Sequence, residues 1–182
     1  MKRKIIIIFL VLLFSSSYSV GLTHAASAVE IDAKVDATLK EFYSQIGSGK
    51  ELAGKAKGVL IFPSVLKAGI WVGGQFGEGA LRVNGKSENY YNIAGASFGF
   101  QFGAQSRAIV LLFMTDDALS GFRNSSGWEA GVDGSVAFAN VGAGGALDTN
   151  TLRQPIIGFV FNNQGLMVDV SLKGSKITRI QK

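Results

Sequence analysis

Two carboxylates and several glycine-rich segments are the parts of this sequence whose residue types and spacing suggest chemistry. Glu129 and Asp133 are four residues apart, and residues separated by an even number lie on one face of an extended strand. Two carboxylates on one face can act as general acid and general base, as in glycoside hydrolysis. Solvated or turn-bonding roles explain the same pair more simply, so we predict no catalytic residue and keep a hydrolase as a third alternative.

The histidine and cysteine content excludes several classes of enzyme. The sequence has no cysteine and one histidine, His24, which lies in a segment that we expect to be removed on export. The mature chain would then lack Ser-His-Asp and Cys-His catalysis, histidine bases, the usual zinc sites and disulfides. We therefore predict a protein that is not an enzyme and that holds no metal or cofactor.

The glycine-rich segments do not fit phosphate-binding loops. Gly79–Ser87, "GALRVNGKS", has five residues between its glycines where the P-loop has four, and it precedes a predicted strand instead of a helix. In Gly95–Ser106, "GASFGFQFGAQS", phenylalanines alternate with glycine and polar residues. We interpret this segment as a strand with an aromatic core face, whose opposite, glycine-bearing face permits close approach of another backbone.

The N-terminus has the three parts of a secretory signal peptide. Basic residues 2–4 precede the apolar run Ile5–Phe14, and small residues follow at Thr23–Ala26. A run of ten residues is half the length of about twenty that a spanning helix needs, so we expect cleavage near Ala25, with a cut after Ala28 or an uncleaved interfacial anchor as alternatives. Residues 26–182 then form a single domain, exported to the periplasm or cell envelope.

Cleavage changes the charge balance. Three of the 18 basic residues and none of the 13 acidic ones lie in the segment 1–25, so the net charge falls from +5 to 15 minus 13, or +2. A domain so close to neutral lacks the strongly basic character typical of nucleic-acid binding. We therefore predict no nucleic-acid partner.

The first predicted element of the mature domain is an amphipathic helix over Glu30–Ile46. Its apolar residues recur at spacings of 4, 4, 3 and 4, which places them on one face; they are Ile31, Val35, Leu39, Phe42 and Ile46. The pairs Glu30–Lys34 and Asp36–Lys40 have the i,i+4 spacing of helix ion pairs. We expect the apolar face to lie on the domain's own core, with docking on a membrane as the alternative.

Strands dominate the rest of the chain. "GVLIF" reads as a buried strand ended by Pro63, and Asn84-Gly85 is typical of a type I′ hairpin turn. "RAIVLLFMT" indicates a strand buried on both faces, followed by a short helix capped at Thr115. The predicted fold class is α+β: an N-terminal amphipathic helix packed on a glycine-rich, mostly antiparallel, curled sheet or barrel.

Four segments carry a resemblance to a known family. They are "AKGVLIFPSVLKAGIWVGGQFGEG", "GASFGFQFGAQSRAIVLLFMT", "FRNSSGWEAGVDGSVA" and "PIIGFVFNNQGLMVDVSLKGSKITRI". Together they resemble the SYLF-domain lipid-binding family in its bacterial secreted branch, related to the yeast actin-organising SYLF proteins, from Glu51 to Ile180. The resemblance implies binding of anionic lipids, actin binding in a yeast member, and no catalysis. It implies no named headgroup-binding residues.

Lysines provide the predicted binding site. Lys50, Lys55, Lys57 and Lys67 lie within eighteen residues, close in sequence to Trp71. A positive rim beside an aromatic group suits an anionic phospholipid headgroup at a membrane surface. Lys173, Lys176 and Arg179 form a second candidate cluster. We predict a non-enzymatic lipid-binding module of the cell envelope, and the alternative is a structural or protein-interaction domain without a lipid ligand.

Overall fold

The computed structural model describes residues 26–69, 72–98, 104–139, 147–162, 164–167 and 171–182. The predicted signal peptide and His24 lie outside these residues. Helix α1, Ala28–Gln45, is capped at its N-terminus by Ser27, whose hydroxyl accepts a hydrogen bond from the Glu30 backbone N–H at 3.2 Å. A short helix α2, Gly49–Lys55, follows it. No helix within the described ranges is both long enough and apolar enough to cross a bilayer.

The strands form one curled, mostly antiparallel sheet. In chain order the elements are β1 Gly58–Gly69, β2 Val72–Val83, β3 Lys86–Phe98, β4 Ala104–Phe113, α3 Asp116–Asn124, β5 Trp128–Glu129, β6 Ala137–Phe138, α4 Thr149–Leu152, β7 Ile156–Asn162, β8 Gly165–Leu166 and β9 Ser175–Ile180. The order across the sheet is β5-β9-β3-β2-β1-β4-β7-β6, with β8 beside β7. Only the β6–β7 pair is parallel among the described strands. The predicted α+β class with a curled sheet is confirmed.

Each face of the sheet has its own apolar core. The inner face of the curl is filled by residues from seven strands and by α3, including Leu60, Leu111 and Trp128. The outer face carries Ile61, Val110 and Phe159 and is covered by α1 and α2. Because alternate residues of a strand point to opposite faces, β1 and β4 are apolar at every position from Val59 to Phe62 and from Ala108 to Phe113.

Helix α1 is fixed to the outer face by packing and by one carboxylate. Its predicted apolar face is buried, since Val35 and Phe42 are fully inaccessible to solvent. Asp32 accepts hydrogen bonds from the hydroxyls of Ser87, at 2.5 Å, and Tyr90, at 3.0 Å. Burial and, secondarily, the Asp32 carboxylate raise the pKa of Tyr90, so the phenol remains a donor to Asp32. These contacts join α1 to β3.

Two predictions about strands are wrong. Pro63 does not end β1, because the strand pairing shifts register around it on both sides and continues to Gly69. Such a bulge accommodates a residue that has no N–H to donate. The segment Gly95–Ser106 is not one strand either, because β3 and β4 run in opposite directions and are separated by β2 and β1. Residues 99–103 of that segment lie outside the described residues.

Candidate functional site

The structure divides the predicted lysine rim between two ends of β1. Lys50 and Lys55 belong to α2, and Lys57 immediately precedes β1. Lys55 forms an ion pair with Glu51 at 2.5 Å, and Lys57 pairs with Asp116 at 3.1 Å. These two cations are therefore partly neutralised by carboxylates of the same surface.

Lys67 lies at the opposite end of β1. Ten residues separate it from Lys57, and at about 3.3 Å per residue this corresponds to roughly 30 Å along the strand. Trp71 lies outside the described residues. Leu60 and Phe62, which lie between the lysines in sequence, are fully buried in the inner core. The four lysines thus do not form a single surface, and their role in binding lipid stays a prediction.

Lys67 belongs to a region of distinct composition, which we call the glycine-rich end of the sheet. It comprises residues 64–69, 72–77, 94–98 and 104–107, the ends of β1 to β4 that lie together. The sequence contains no aspartate or glutamate from Ser64 to Gly77 or from Ala94 to Arg107. Its cations are Lys67 and Arg107.

The outer side of this end exposes apolar side chains. Leu66 and Phe76 are direct cross-strand partners and are 50% and 52% exposed. They border a groove that is also lined by Pro63, by Ala26 at the start of α1, and by two carboxylates, Glu30 and Glu78, which are paired with Lys34 and Lys182. Large apolar residues on a sheet normally lie against a core, so this pair marks a surface suited to an apolar partner.

The inner side of the same end carries a row of polar residues across five strands. Register pairs Gln105 with Lys67, Lys67 with Gln75, Gln75 with Gly95, and Gly95 with Ser175; the strands are β4, β1, β2, β3 and β9. Direct partners point to the same face. Val65 is two residues from Lys67, and Ile177 is two residues from Ser175. Because both belong to the inner core, the polar row lies on the same face of the sheet as that core, at its glycine-rich end.

Hydrogen bonds connect three members of this region. Gln75, which is 6% exposed, donates from Nε2 to the hydroxyl of Ser175, and its Oε1 accepts a bond of 2.7 Å from Nη2 of Arg107. Arg107 is the cross-strand partner of Val65, so its side chain starts on the inner face. Burial lowers the pKa of the Arg107 guanidinium. The network places a half-buried cation among neutral polar groups.

Gly95 makes this network possible. Gln75 reaches Ser175 across the β3 position that lies between them, and a glycine there leaves the space clear. A Cβ on Gly95 would contact the carbonyl of Gly174 and would lie 2.8 Å from Cα of Ser175. The predicted role of this glycine in close backbone approach is confirmed, whereas Gly99 and Gly103 lie outside the described residues.

The two carboxylates considered for acid–base chemistry have a turn-bonding arrangement. Asp133 accepts the backbone N–H of Glu129 at 2.7 Å, and residues 131–133 form a turn instead of continuing the strand. The strand on which the acid–base pairing depended is therefore absent there. No cluster of three or more potential metal ligands occurs in the part of the chain that the structure describes.

The second predicted cluster is also divided. Lys173 precedes β9 and Lys176 pairs in register with Ala94, so both are close to the glycine-rich end. Arg179 pairs with Tyr91, further along β9, and lines a separate groove with Glu88. All three side chains are exposed.

Three residues of the network, Gln75, Arg107 and Ser175, were not predicted from the sequence. Each occupies the inner-face position of its strand, which an alternation count within that strand would have found. Their meeting depends on the order β9-β3-β2-β1-β4, which no local pattern specifies.

Comparison with known protein families finds a match in the second half of the chain. Residues 94–182 match the family described as Ysc84, Las17-binding protein actin regulator. No curated protein is significantly similar to the chain. The matched segment includes Arg107 and Ser175, and it extends through β9 to Lys182. The family is one of binding domains and is not known for catalysis. The predicted resemblance to the SYLF-domain family is thus confirmed over residues 94–182, whereas its extension back to Glu51 and the bacterial secreted branch stay predictions.

Proposed function

We propose that this protein is a non-enzymatic lipid-binding module of the cell envelope that recognises anionic phospholipid headgroups. One observation carries the proposal: the glycine-rich end has no carboxylate in its sequence segments, and it carries two cations on its inner side and a half-exposed apolar pair, Leu66 and Phe76, on its outer side. Because the two groups lie on opposite faces, a bilayer would meet both where the strands end. A bilayer surface offers the complementary chemistry, with anionic headgroups above hydrocarbon. The family supports a lipid- or actin-related binding module.

The energetic contributions expected at such a surface are modest and additive. A lysine or arginine near an anionic leaflet contributes about 1 kcal/mol, and this attraction weakens as salt screens it. Burying the exposed halves of Leu66 and Phe76 adds a hydrophobic contribution of about 1 kcal/mol each. Together these contributions predict weak to moderate binding that depends on both charge and the apolar pair.

Vesicle flotation tests the proposal. The domain 26–182 should float with phosphatidylglycerol vesicles and much less with phosphatidylcholine vesicles, and salt above physiological strength should reduce the bound fraction, because the Debye length there is about 8 Å or shorter. The double change Leu66→Gln and Phe76→Gln should weaken flotation severalfold. Leu152→Gln is the matched control, since Leu152 is 39% exposed in α4, next to the start of β7 at the opposite end of the sheet.

The same assay compares the two lysine surfaces. Reversing Lys55 and Lys57 to glutamate should reduce flotation if the lysines near α2 bind the headgroup, as the sequence predicts. It should leave flotation nearly unchanged if binding occurs at the glycine-rich end. A parent protein that ignores both vesicle types and carries no co-purifying lipid would contradict lipid binding altogether. The structural or protein-interaction alternative, which the family description as an actin regulator favours, would then replace it.

We further propose that residues 1–25 direct export and are then removed. A cut after Ala25 leaves Ser27 in place as the N-cap of α1, whereas a cut after Ala28 would remove a cap of a type that contributes about 1 kcal/mol. N-terminal sequencing of the protein from the envelope fraction should therefore begin at or next to Ala26. A start at Met1 in that fraction would contradict cleavage.

A further inference from the structure

Arg107 differs in its partners from the other partly buried arginines whose Nε is enclosed. Three described arginines have a buried Nε without a hydrogen-bond partner: Arg82, Arg107 and Arg123. Arg82 pairs with Asp36 at 2.9 Å, and Arg123 pairs with Glu88. Arg107 forms no ion pair with any described residue, and its one hydrogen bond goes to the neutral amide of Gln75.

This arrangement is costly unless something else supplies a negative charge. Removing a guanidinium from water is unfavourable, and a neutral amide repays only part of that cost. The depressed pKa of Arg107, which results from burial, reports the same penalty. Proteins retain such groups where a charged ligand completes the site.

The donors that remain point to an oxyanion. One Nη2 hydrogen of Arg107 is donated to Gln75, which leaves the second Nη2 hydrogen and both Nη1 hydrogens as donors, while the Nε–H is buried without a partner. Lys67 is a diagonal neighbour of Arg107 on the same face, about 7 Å away at Cβ on an ideal sheet, and forms no ion pair with the described residues. A planar fork beside an ammonium matches the geometry and charge of a phosphate group.

We propose that Arg107 and Lys67, held by Gln75 and Ser175, form a phosphate-binding site on the inner face of the glycine-rich end. The identification of its ligand as a lipid headgroup rests on the proposed function, whereas the site itself rests on Arg107. The buried amide of Gln75 fixes the guanidinium, and Ser175 fixes that amide from across Gly95. The inner-face network thus orients the fork before a ligand arrives.

Two measurements on matched variants test the site. Arg107→Gln removes the fork, and Arg153→Gln makes the same charge change at an exposed position after α4. Flotation with phosphatidylglycerol vesicles should weaken about tenfold or more in Arg107→Gln and remain unchanged in Arg153→Gln, because a hydrogen bond between charged groups is strong. Arg107→Lys should be intermediate, since it retains the charge without the fork.

The second measurement uses soluble ligand. The melting temperature of each variant is recorded in inorganic phosphate and in chloride at equal ionic strength, and only the difference between the two salts is compared, so that any change in intrinsic stability cancels. A phosphate-dependent rise in the parent that is absent in Arg107→Gln supports the site. If the role of Arg107 is purely structural, Arg107→Gln should instead lower the melting temperature by the same amount in phosphate and in chloride.

The outcomes separate the site from the proposed function. Arg107-dependent flotation identifies a lipid headgroup as the source of the phosphate. A second outcome is that the parent protein fails to float while phosphate still raises its melting temperature in an Arg107-dependent way. That result supports the site as one for soluble phosphate and contradicts the lipid-binding function. If neither vesicles nor phosphate distinguish Arg107→Gln from the parent, the site is overturned.

Discussion

Gly79→Ala is expected to destabilise the domain by about 3 kcal/mol, near the upper end of the usual cost of overpacking. The new Cβ would meet the Ile61 carbonyl group, 2.8 Å from its carbon, and the Phe62 ring, also at 2.8 Å. Both neighbours are fully buried in β1, beside the Pro63 bulge and between β2 and β4, so neither can move away cheaply. Urea unfolding followed by circular dichroism measures the loss.

Gly54→Ala is the control for this change. Gly54 lies inside α2, and a Cβ there meets nothing within 4 Å. Alanine favours a helix over glycine, so this variant should be neutral or more stable by up to about 1 kcal/mol. Equal urea-unfolding midpoints for Gly79→Ala and the parent would show that β2 at Gly79 lies farther from the Ile61 backbone than described.

Phe42→Ala is expected to cost about 3–5 kcal/mol, as truncations of buried aromatic residues do. The Phe42 ring is fully buried, and its centroid lies 4.9 Å from that of Phe159 in an edge arrangement and 6.4 Å from that of Phe161. The deletion therefore removes the contact that attaches α1 to β7. The free energy of unfolding from urea titration measures the effect.

Val29→Ala provides the comparison within the same helix. Val29 is 79% exposed, so its truncation should change stability by less than about 0.5 kcal/mol. A cost below about 1 kcal/mol for Phe42→Ala, with an unchanged denaturant dependence, would contradict the view that α1 unfolds together with the sheet.

Local features of the fold were predictable because neighbouring residues determine them. Asn84 and Gly85 adopt φ values of 51° and 77°, as a type I′ turn requires. Thr115 caps α3 as predicted, and its hydroxyl accepts the Ala118 N–H. Glu30 and Lys34 form the expected ion pair at 2.6 Å. In each case the signal and the structure lie within a few residues of each other.

Features that depend on distant partners were not predictable. Asp36 pairs with Arg82 of β2, not with Lys40 as the helix spacing suggested, because docking of α1 brings a buried guanidinium close to it. The proline rule failed at Pro63 because a bulge tolerates the missing N–H. In both cases, contacts between elements override a rule derived from one element.

The candidate site shows the same division. Lys67 was predicted, but with lysines that the length of β1 places about 30 Å away. Arg107 has no neighbour in sequence that indicates a site. Its hydrogen-bond partner Gln75 is 32 residues away in sequence, and Ser175 is a further contact of Gln75 at a separation of 100 residues, so the folded sheet alone brings the three together. Hydrophobic alternation specifies which face a residue occupies but not which strands are adjacent.

The burial of α1 also determines how long the domain would stay on a membrane. Helices that embed in bilayers use a free apolar face, but here Ile31, Val35 and Phe42 are already committed to the sheet, and releasing them would cost as much as truncating that interface. Among the described residues of the glycine-rich end, Leu66 and Phe76 are the exposed large apolar side chains that could contact hydrocarbon. On the proposed function, each encounter would therefore be brief, and the protein would exchange repeatedly between the bilayer surface and solution.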